Sequence, residues 1–163
     1  MKQNIEHKNS KGQLHCEDGP AYIRYYENGN KKYESYYLNN NFHKTDGPAI
    51  IHYFENGNKK IEYFYLNNKN HKTDGPAVIV YFENGNKEYE TYYLNNQLHR
   101  TDGPAVIYYF KNGNKEYDED YYLNNIPIKD WCQKYNIPFD TKHQQKYVID
   151  NLEKIYKTFS IFK

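Results

Sequence analysis

The chain has 163 residues, room for one ordinary domain, and its 22 basic and 21 acidic residues leave a net charge of +1, which counts against bulk nucleic acid or an anionic bilayer as partner. Only 37% of the residues are hydrophobic, yet 21 tyrosines, eight phenylalanines and one tryptophan are present. Any core must therefore be built largely from aromatic rings rather than from Leu and Val.

The first thirteen residues, MKQNIEHKNSKGQ, contain no apolar stretch of the kind a secretory signal needs. No apolar run of the chain approaches the 18 or so residues that span a bilayer. Cys16 and Cys132 stand far apart, with neither a disulfide framework nor a CxxC pair. These features lead us to expect a reducing, cytoplasmic setting. Residues 1–13 read as a degenerate N-terminal half-repeat, because "KGQLH" occupies the place that "NNQLH" takes later.

From residue 14 the chain repeats itself. Asp18, Asp46, Asp74 and Asp102 follow one another at intervals of 28, defining units 14–41, 42–69, 70–97 and 98–126. Each unit reads His-x-x-Asp-Gly-Pro-Ala, an apolar run, Asn-Gly-Asn-Lys, a Tyr-rich run and Leu-Asn-Asn. The run "AVIVYF" (77–82) has the β-branched and aromatic composition of a strand, and "KEYETYYL" (87–94) that of its return. Asn-Gly between them predicts a tight type I′ hairpin turn, and Leu-Asn-Asn supplies a second turn. A single hairpin cannot bury its own face, so neighbours must stack into an antiparallel meander. Unit four carries one extra residue, "YDEDYYL" against "YETYYL", which predicts a β-bulge near Asp118–Asp120.

The His-x-x-Asp-Gly-Pro stretch admits two readings. One is reactive: a His–Asp pair, or a ladder of metal ligands. The other is a structural corner of His15, Asp18, Gly19 and Pro20, then His43, Asp46, Gly47 and Pro48, then His71, Asp74, Gly75 and Pro76, then His99, Asp102, Gly103 and Pro104. In that corner Gly takes an unusual φ, Pro fixes its own, Asp caps the turn, and His bonds Asp or a carbonyl. Two strands per repeat at about 4.8 Å put equivalent histidines roughly 10 Å apart. Metal–ligand bonds of about 2 Å cannot bridge that gap. No Ser or Cys recurs beside the four histidines, and a catalytic constellation is needed once rather than four times. We therefore expect a corner, no catalytic residue, no metal and no cofactor.

With "YYLNNQLH" (92–99), "TDGPAVIYYF" (101–110) and their copies in view, the chain resembles a divergent, lengthened MORN repeat protein, the matching pieces being Tyr92-Tyr93, Asn95-Asn96, His99 and Gly103. It is also similar to the His-x-x-Asp-Gly-Pro-Ala repeat proteins of giant DNA viruses and bacteria, some of them labelled antitoxin-like. The resemblance covers 14–126. It departs from MORN in a longer unit and in proline (Pro20, Pro48, Pro76, Pro104) where the family has its second glycine. It implies a mainly β fold, an elongated antiparallel β-hairpin repeat sheet that acts as a non-enzymatic scaffold for protein–protein interaction. Such scaffolds are sometimes self-associating as homodimers and sometimes touch membrane phospholipid. A giant-virus source would make the setting the host cytoplasm.

If the hairpin turn has two residues, Ala77, Ile79 and Tyr81 share a face with Tyr92 and Leu94. The recurring Ile23, Ile51, Ile79 and Ile107 and Tyr25, Tyr53, Tyr81 and Tyr109 make that the packed face. The opposite face then holds the changing Arg24, His52, Val80 and Tyr108, and Lys31, Lys59, Lys87 and Lys115. It also holds the column Tyr37, Tyr65, Tyr93 and Tyr122, a candidate partner-binding surface. This assignment leaves Glu34, Glu62 and Glu90 on the packed face, and a three-residue loop with a bulge would change it.

Residues 127–163 carry no Asn-Gly hairpin and read as a C-terminal α-helical cap. Ile128, Trp131, Cys132 and Tyr135 have helical spacing, and Pro138 interrupts them. Thr141 and Gln144 form a capping-box signature. From there Val148, Leu152, Ile155 and Phe159 form one stripe on a helix of about 20 residues. With two arginines, Arg24 and Arg100, nucleic acid is an unattractive partner. Lipid binding is weakened by the absence of polybasic clusters.

Overall fold

The computed structural model describes residues 2–160, with the side chains of 117–119 and 160 left out of the description. It is mainly β, one nine-stranded antiparallel sheet of hairpins followed by three short helices. Each unit contributes an outgoing strand (Tyr22–Tyr25, Ile50–Tyr53, Val78–Tyr81, Val106–Tyr109) and a return strand (Lys31–Ser35, Lys59–Tyr63, Lys87–Thr91, Lys115–Asp120). They pair in chain order, each return strand hydrogen-bonding the next outgoing one. Ile5–Glu6 adds a ninth strand on the outgoing strand of unit one. There His7 N–H meets Ala21 O and His15 N–H meets His7 O, the bonds that Tyr36 and His43 make one repeat later.

The type I′ geometry expected at Asn-Gly is found at the other turn. At Asn-Gly the loop has three residues. Gly29 N–H bonds Tyr26 O at 3.0 Å, Tyr26 N–H bonds Asn30 O at 2.8 Å, and Gly29 alone takes positive φ (+86°). This is a type I turn closed by a left-handed glycine, not the type I′ turn expected. The I′ geometry sits at Asn-Asn, where Asn39 and Asn40 have φ of 52° and 62°, with the same pair of values repeated to within a few degrees at 67–68, 95–96 and 124–125. Asparagine tolerates this region because its short amide bonds locally. Each Asn-Asn turn closes a short second hairpin such as Tyr37–Leu38 with Asn41–Phe42.

Asparagine also joins the repeats. Phe42 N–H donates to Asn68 Oδ1 at 2.7 Å, Asn70 N–H to Asn96 Oδ1 at 2.7 Å, and Leu98 N–H to Asn125 Oδ1 at 2.6 Å. At the hairpin tips Asn28 and Asn30 donate to Glu55 O, Asn56 and Asn58 to Glu83 O, and Asn84 and Asn86 to Lys111 O. A chain poor in aliphatic residues thus stacks by satisfying backbone groups with side-chain amides.

The three-residue loop moves the register as well. Beyond Val80↔Tyr89 the pairing slips to Tyr81↔Lys87, a bulge beside every tip. In unit four the larger slip lies between Ile107↔Glu119 and Tyr109↔Lys115. The extra residue is therefore absorbed at 116–118, and Asp120 pairs in step with Val106.

The helices are α1 (Ile128–Lys134), α2 (Lys142–Asp150) and α3 (Leu152–Ser160). α1 begins where a fifth histidine would stand, since Ile128 N–H bonds Tyr121 O as His99 N–H bonds Tyr92 O. The Thr141–Gln144 capping box is present. The single helix of about 20 residues is not. Asn151 leaves helical geometry (φ −116°, ψ 16°) and its Nδ2 donates to Tyr147 O, ending α2 before α3 starts. Leu123, Ile128, Trp131, Cys132, Val148 and Leu152 form a buried cluster, with Tyr121, Ile155 and Phe159 against it. The helices seat on the last short hairpin, α1 touching both of its strands.

Candidate binding face

Register assigns each side chain to a face. Ile23 opposes Glu34, Ile51 opposes Glu62, Ile79 opposes Glu90, and Ile107 opposes Glu119. The bulge turns Lys31, Lys59 and Lys87 onto this same face, correcting the sequence assignment. Their Nζ atoms reach Glu34, Glu62 and Glu90 at 2.5, 2.6 and 2.6 Å. Tyr53 and Tyr81 of the following repeats donate to Glu34 and Glu62 at 2.5 and 2.6 Å. The glutamates that fitted poorly on a packed face are thus buried at 4–5% exposure and satisfied by two donors each, a lysine and the next repeat's tyrosine for Glu34 and Glu62. Burial, with Glu34 or Glu62 next, pushes the Tyr53 and Tyr81 hydroxyls well up from 10.

Ile, Tyr, Lys and Glu recur unchanged at these positions in all four units. The other face changes. Position by position it reads Tyr22, Ile50, Val78, Val106; Arg24, His52, Val80, Tyr108; and Ser35, Tyr63, Thr91, Asp120. Its rings touch in a chain: Tyr22–Tyr33 at 5.9 Å, Tyr33–His52 at 4.9 Å, His52–Tyr63 at 6.2 Å and Tyr63–Tyr65 at 6.1 Å. The column Tyr37, Tyr65, Tyr93 and Tyr122 is half-buried, each tyrosine opening a short hairpin along this face. Phe42 bridges Tyr37 and Tyr65 at 4.4 and 5.3 Å. Burial pushes the Tyr37 hydroxyl up to about 12 and raises Tyr93, while burial and then Lys60 lower His52. At the N-terminal end Leu14, Tyr22, Arg24, Lys32, Tyr33 and Tyr37 line an open groove of about 520 Å³.

The corners are built differently from the sequence reading. His15 Nδ1 accepts from Asn39 N–H, and His99 Nδ1 from Asn124 N–H, both at 3.3 Å. His43 and His71 meet Asn67 and Asn95 at 2.9 and 3.0 Å. Each histidine therefore holds the next Asn-Asn turn, not its own aspartate. Gly19, Gly47, Gly75 and Gly103 do not take positive φ. Three of them leave room for a cation. A Cβ on Gly47, Gly75 or Gly103 would lie 3.3, 3.1 or 3.1 Å from Lys44 Nζ, Lys72 Nζ or Arg100 Cζ. Those cations rest on the rings of Tyr36, Phe64 and Tyr92 at 3.9, 4.2 and 3.9 Å. In the first corner Cys16 stands where the cation stands later. Arg100 also donates to Asp102 at 2.7 Å, which holds the Asp102 carboxyl below its usual range.

Among the described residues no group of three or more His, Cys, Asp or Glu side chains could hold a metal ion. None of their helices is long and apolar enough to cross a membrane. Comparison with protein-family models, curated proteins and solved structures finds no match. The arrangement itself must carry the functional reading: one face fixed in every copy, the other altered.

Proposed function

We propose that this chain is a non-enzymatic repeat scaffold that binds a protein partner through its varied, tyrosine-rich face. The observation that carries the reading is the division between the faces. Ile, Tyr, Lys and Glu are kept at every repeat on the side where the copies knit together, while positions on the opposite side change from copy to copy. Copies that keep the contacts knitting them together, and keep the column Tyr37, Tyr65, Tyr93 and Tyr122 amid changing neighbours, fit a face shaped by something outside the fold. Tyrosine with scattered Arg and His is a composition suited to protein recognition, because it offers large contact area with few rotamers and a polar tip. The likeness to MORN units belongs to the same reading.

The test is affinity capture with the intact chain, with Tyr65→Ala/Tyr93→Ala, and with Asn28→Ala at a hairpin tip as control. Loss of a stoichiometric partner in the tyrosine variant alone, with its circular dichroism unchanged, is the expected result. Equal capture by all three would overturn the assignment of the face. Anionic vesicles sedimenting with the chain in place of any protein would overturn the partner class.

A further inference from the structure

Charge on the varied face is ordered along the stack. The residue that follows the recurring lysine of each return strand is Lys32, Lys60, Glu88 and Glu116 in units one to four. Lys32 lines the groove beside Arg24 and Tyr33, and Lys60 lies close enough to His52 to lower its basicity, so this position borders the varied face. Arg24 adds charge to the first unit, and Asp120, paired with Val106, adds the opposite charge to the fourth. Among the described residues, Lys32, Lys60, Glu88 and Glu116 make no ion pair. The basic half is thus units one and two, and the acidic half units three and four.

We propose, resting on the scaffold reading above, that the partner of this face is a second copy of the chain, packed face to face in antiparallel order. Two ways exist to lay two identical sheets on one another about a two-fold axis. An axis along the repeat direction would set unit one on unit one, the basic half on the basic half, with hairpin tips over short hairpins. An axis along the outgoing strand of unit three sets the return strand of unit one on that of unit four, and the return strand of unit two on that of unit three, at equal distance from the hairpin tips. Lys32 then meets Glu116 of the second copy, and Lys60 meets its Glu88. Each contact occurs twice, as an isologous interface requires. About the same axis His52 faces Tyr108 of the second copy, ring against ring.

Size agrees with the assignment. The seven strands from Lys31–Ser35 to Lys115–Asp120 overlap in this register, and at about 4.8 Å a strand and about 3.3 Å for each of five residues they give a face of roughly 29 by 17 Å, or about 490 Å² a copy. Two such faces bury about 1,000 Å², which reaches the size a specific interface needs. Ile50, Val78, Val80 and Val106 lie buried at the centre of this face, so the contact surface is made by the half-buried tyrosines over them and the charges at the rim. The helices pack beside Tyr121, which takes the position of Tyr36, Phe64 and Tyr92 on the invariant side.

The experiment is sedimentation equilibrium of the full chain with charge-reversed variants. The wild type is expected to show twice the 19.8 kDa chain mass. Lys32→Glu/Lys60→Glu, with unchanged circular dichroism, is expected to weaken association at least tenfold. Adding Glu88→Lys/Glu116→Lys to that variant is expected to restore it. A monomeric wild type at several hundred micromolar overturns the proposal while leaving the scaffold reading to the capture experiment. A dimer indifferent to the double reversal, or one the fourfold reversal fails to restore, overturns the antiparallel pairing.

Discussion

Removing the Glu62 carboxylate measures what the invariant face contributes. The group is 5% exposed and takes hydrogen bonds from Lys59 Nζ and Tyr81 Oη, both at 2.6 Å. The two donors are not equal. Lys59 is 49% exposed, so water can replace its partner and the ion pair contributes no more than about 1 kcal/mol. Tyr81 is half-buried, belongs to the next repeat, and makes a charge-assisted bond of about 1.5–3 kcal/mol. Glu62→Ala should therefore cost about 2–3 kcal/mol, or a fall in Tm of about 4–10 °C for a chain of this length. Lys59→Met should cost less than about 1 kcal/mol. The triple variant Lys59→Met/Glu62→Leu/Tyr81→Phe should return to within about 1 kcal/mol of wild type, because no buried charge or hydroxyl is then left unmatched. Thermal and guanidinium melts followed by circular dichroism read all three. Equal losses for Lys59→Met and Glu62→Ala would refute the reasoning, as would a neutral Glu62→Ala.

Other outcomes follow from the same geometry. Gly85 at a hairpin tip has φ of +90°, so Gly85→Ala should cost about 1–2 kcal/mol in a denaturant melt. Gly75→Ala only nudges Lys72 off the Phe64 ring and should cost less than about 1 kcal/mol; the reverse ranking would contradict the corner geometry. Burial is the first cause that lifts Tyr37, Tyr92 and Tyr109 to about 12, with Glu90 next for the latter two, and Tyr53 and Tyr81 lie higher still. A raised folded value means the unfolded chain ionises first, so this stability is complete below about pH 10 and is lost as pH climbs toward the folded values. Phenolate absorbance should then appear together with unfolding; smooth ionisation of a folded chain near pH 10 would disprove it. Leu152→Ala, at a side chain 2% exposed in the helical cluster, should cost about 2–5 kcal/mol in a melt read by Trp131 fluorescence, and a loss below about 1 would show the cluster to be loosely packed.

The repeats, the hairpins and the helical end were legible because they rest on local chemistry. Asn-Gly and Asn-Asn announce turns, and Thr141 with Gln144 announces a helix start. What escaped depended on one residue of loop length. Both turn geometries suit an Asn-Gly pair, and the choice of the three-residue loop with its bulge carried Lys31, Lys59 and Lys87 to the other face. The unplaced Glu34, Glu62 and Glu90 were the available signal, since a buried carboxylate demands a donor within reach. Asn151 was silent for a different reason: asparagine is tolerated within helices, and only its amide bond to Tyr147 O ends this one. The role of the corner glycines was invisible too, because Gly-Pro suggests a backbone need, whereas the space at Gly75 is filled by the stem of a lysine from three residues earlier.

The Asn-Asn turn has a consequence for how such a chain can change over generations. Successive short hairpins are linked by the same amide-to-backbone bond across each unit, at Leu14 with Asn40, Phe42 with Asn68 and Asn70 with Asn96. Excision of residues 42–69 would bring Asn70 to follow Asn41, with Leu14 still held by Asn40 and Asn70 still held by Asn96. Slippage or unequal recombination over one coding unit therefore adds or removes roughly 10 Å of reach in a single step and needs no compensating change elsewhere. Whatever this face grips, its span can be lengthened or shortened by inheritance faster than its chemistry can be rewritten.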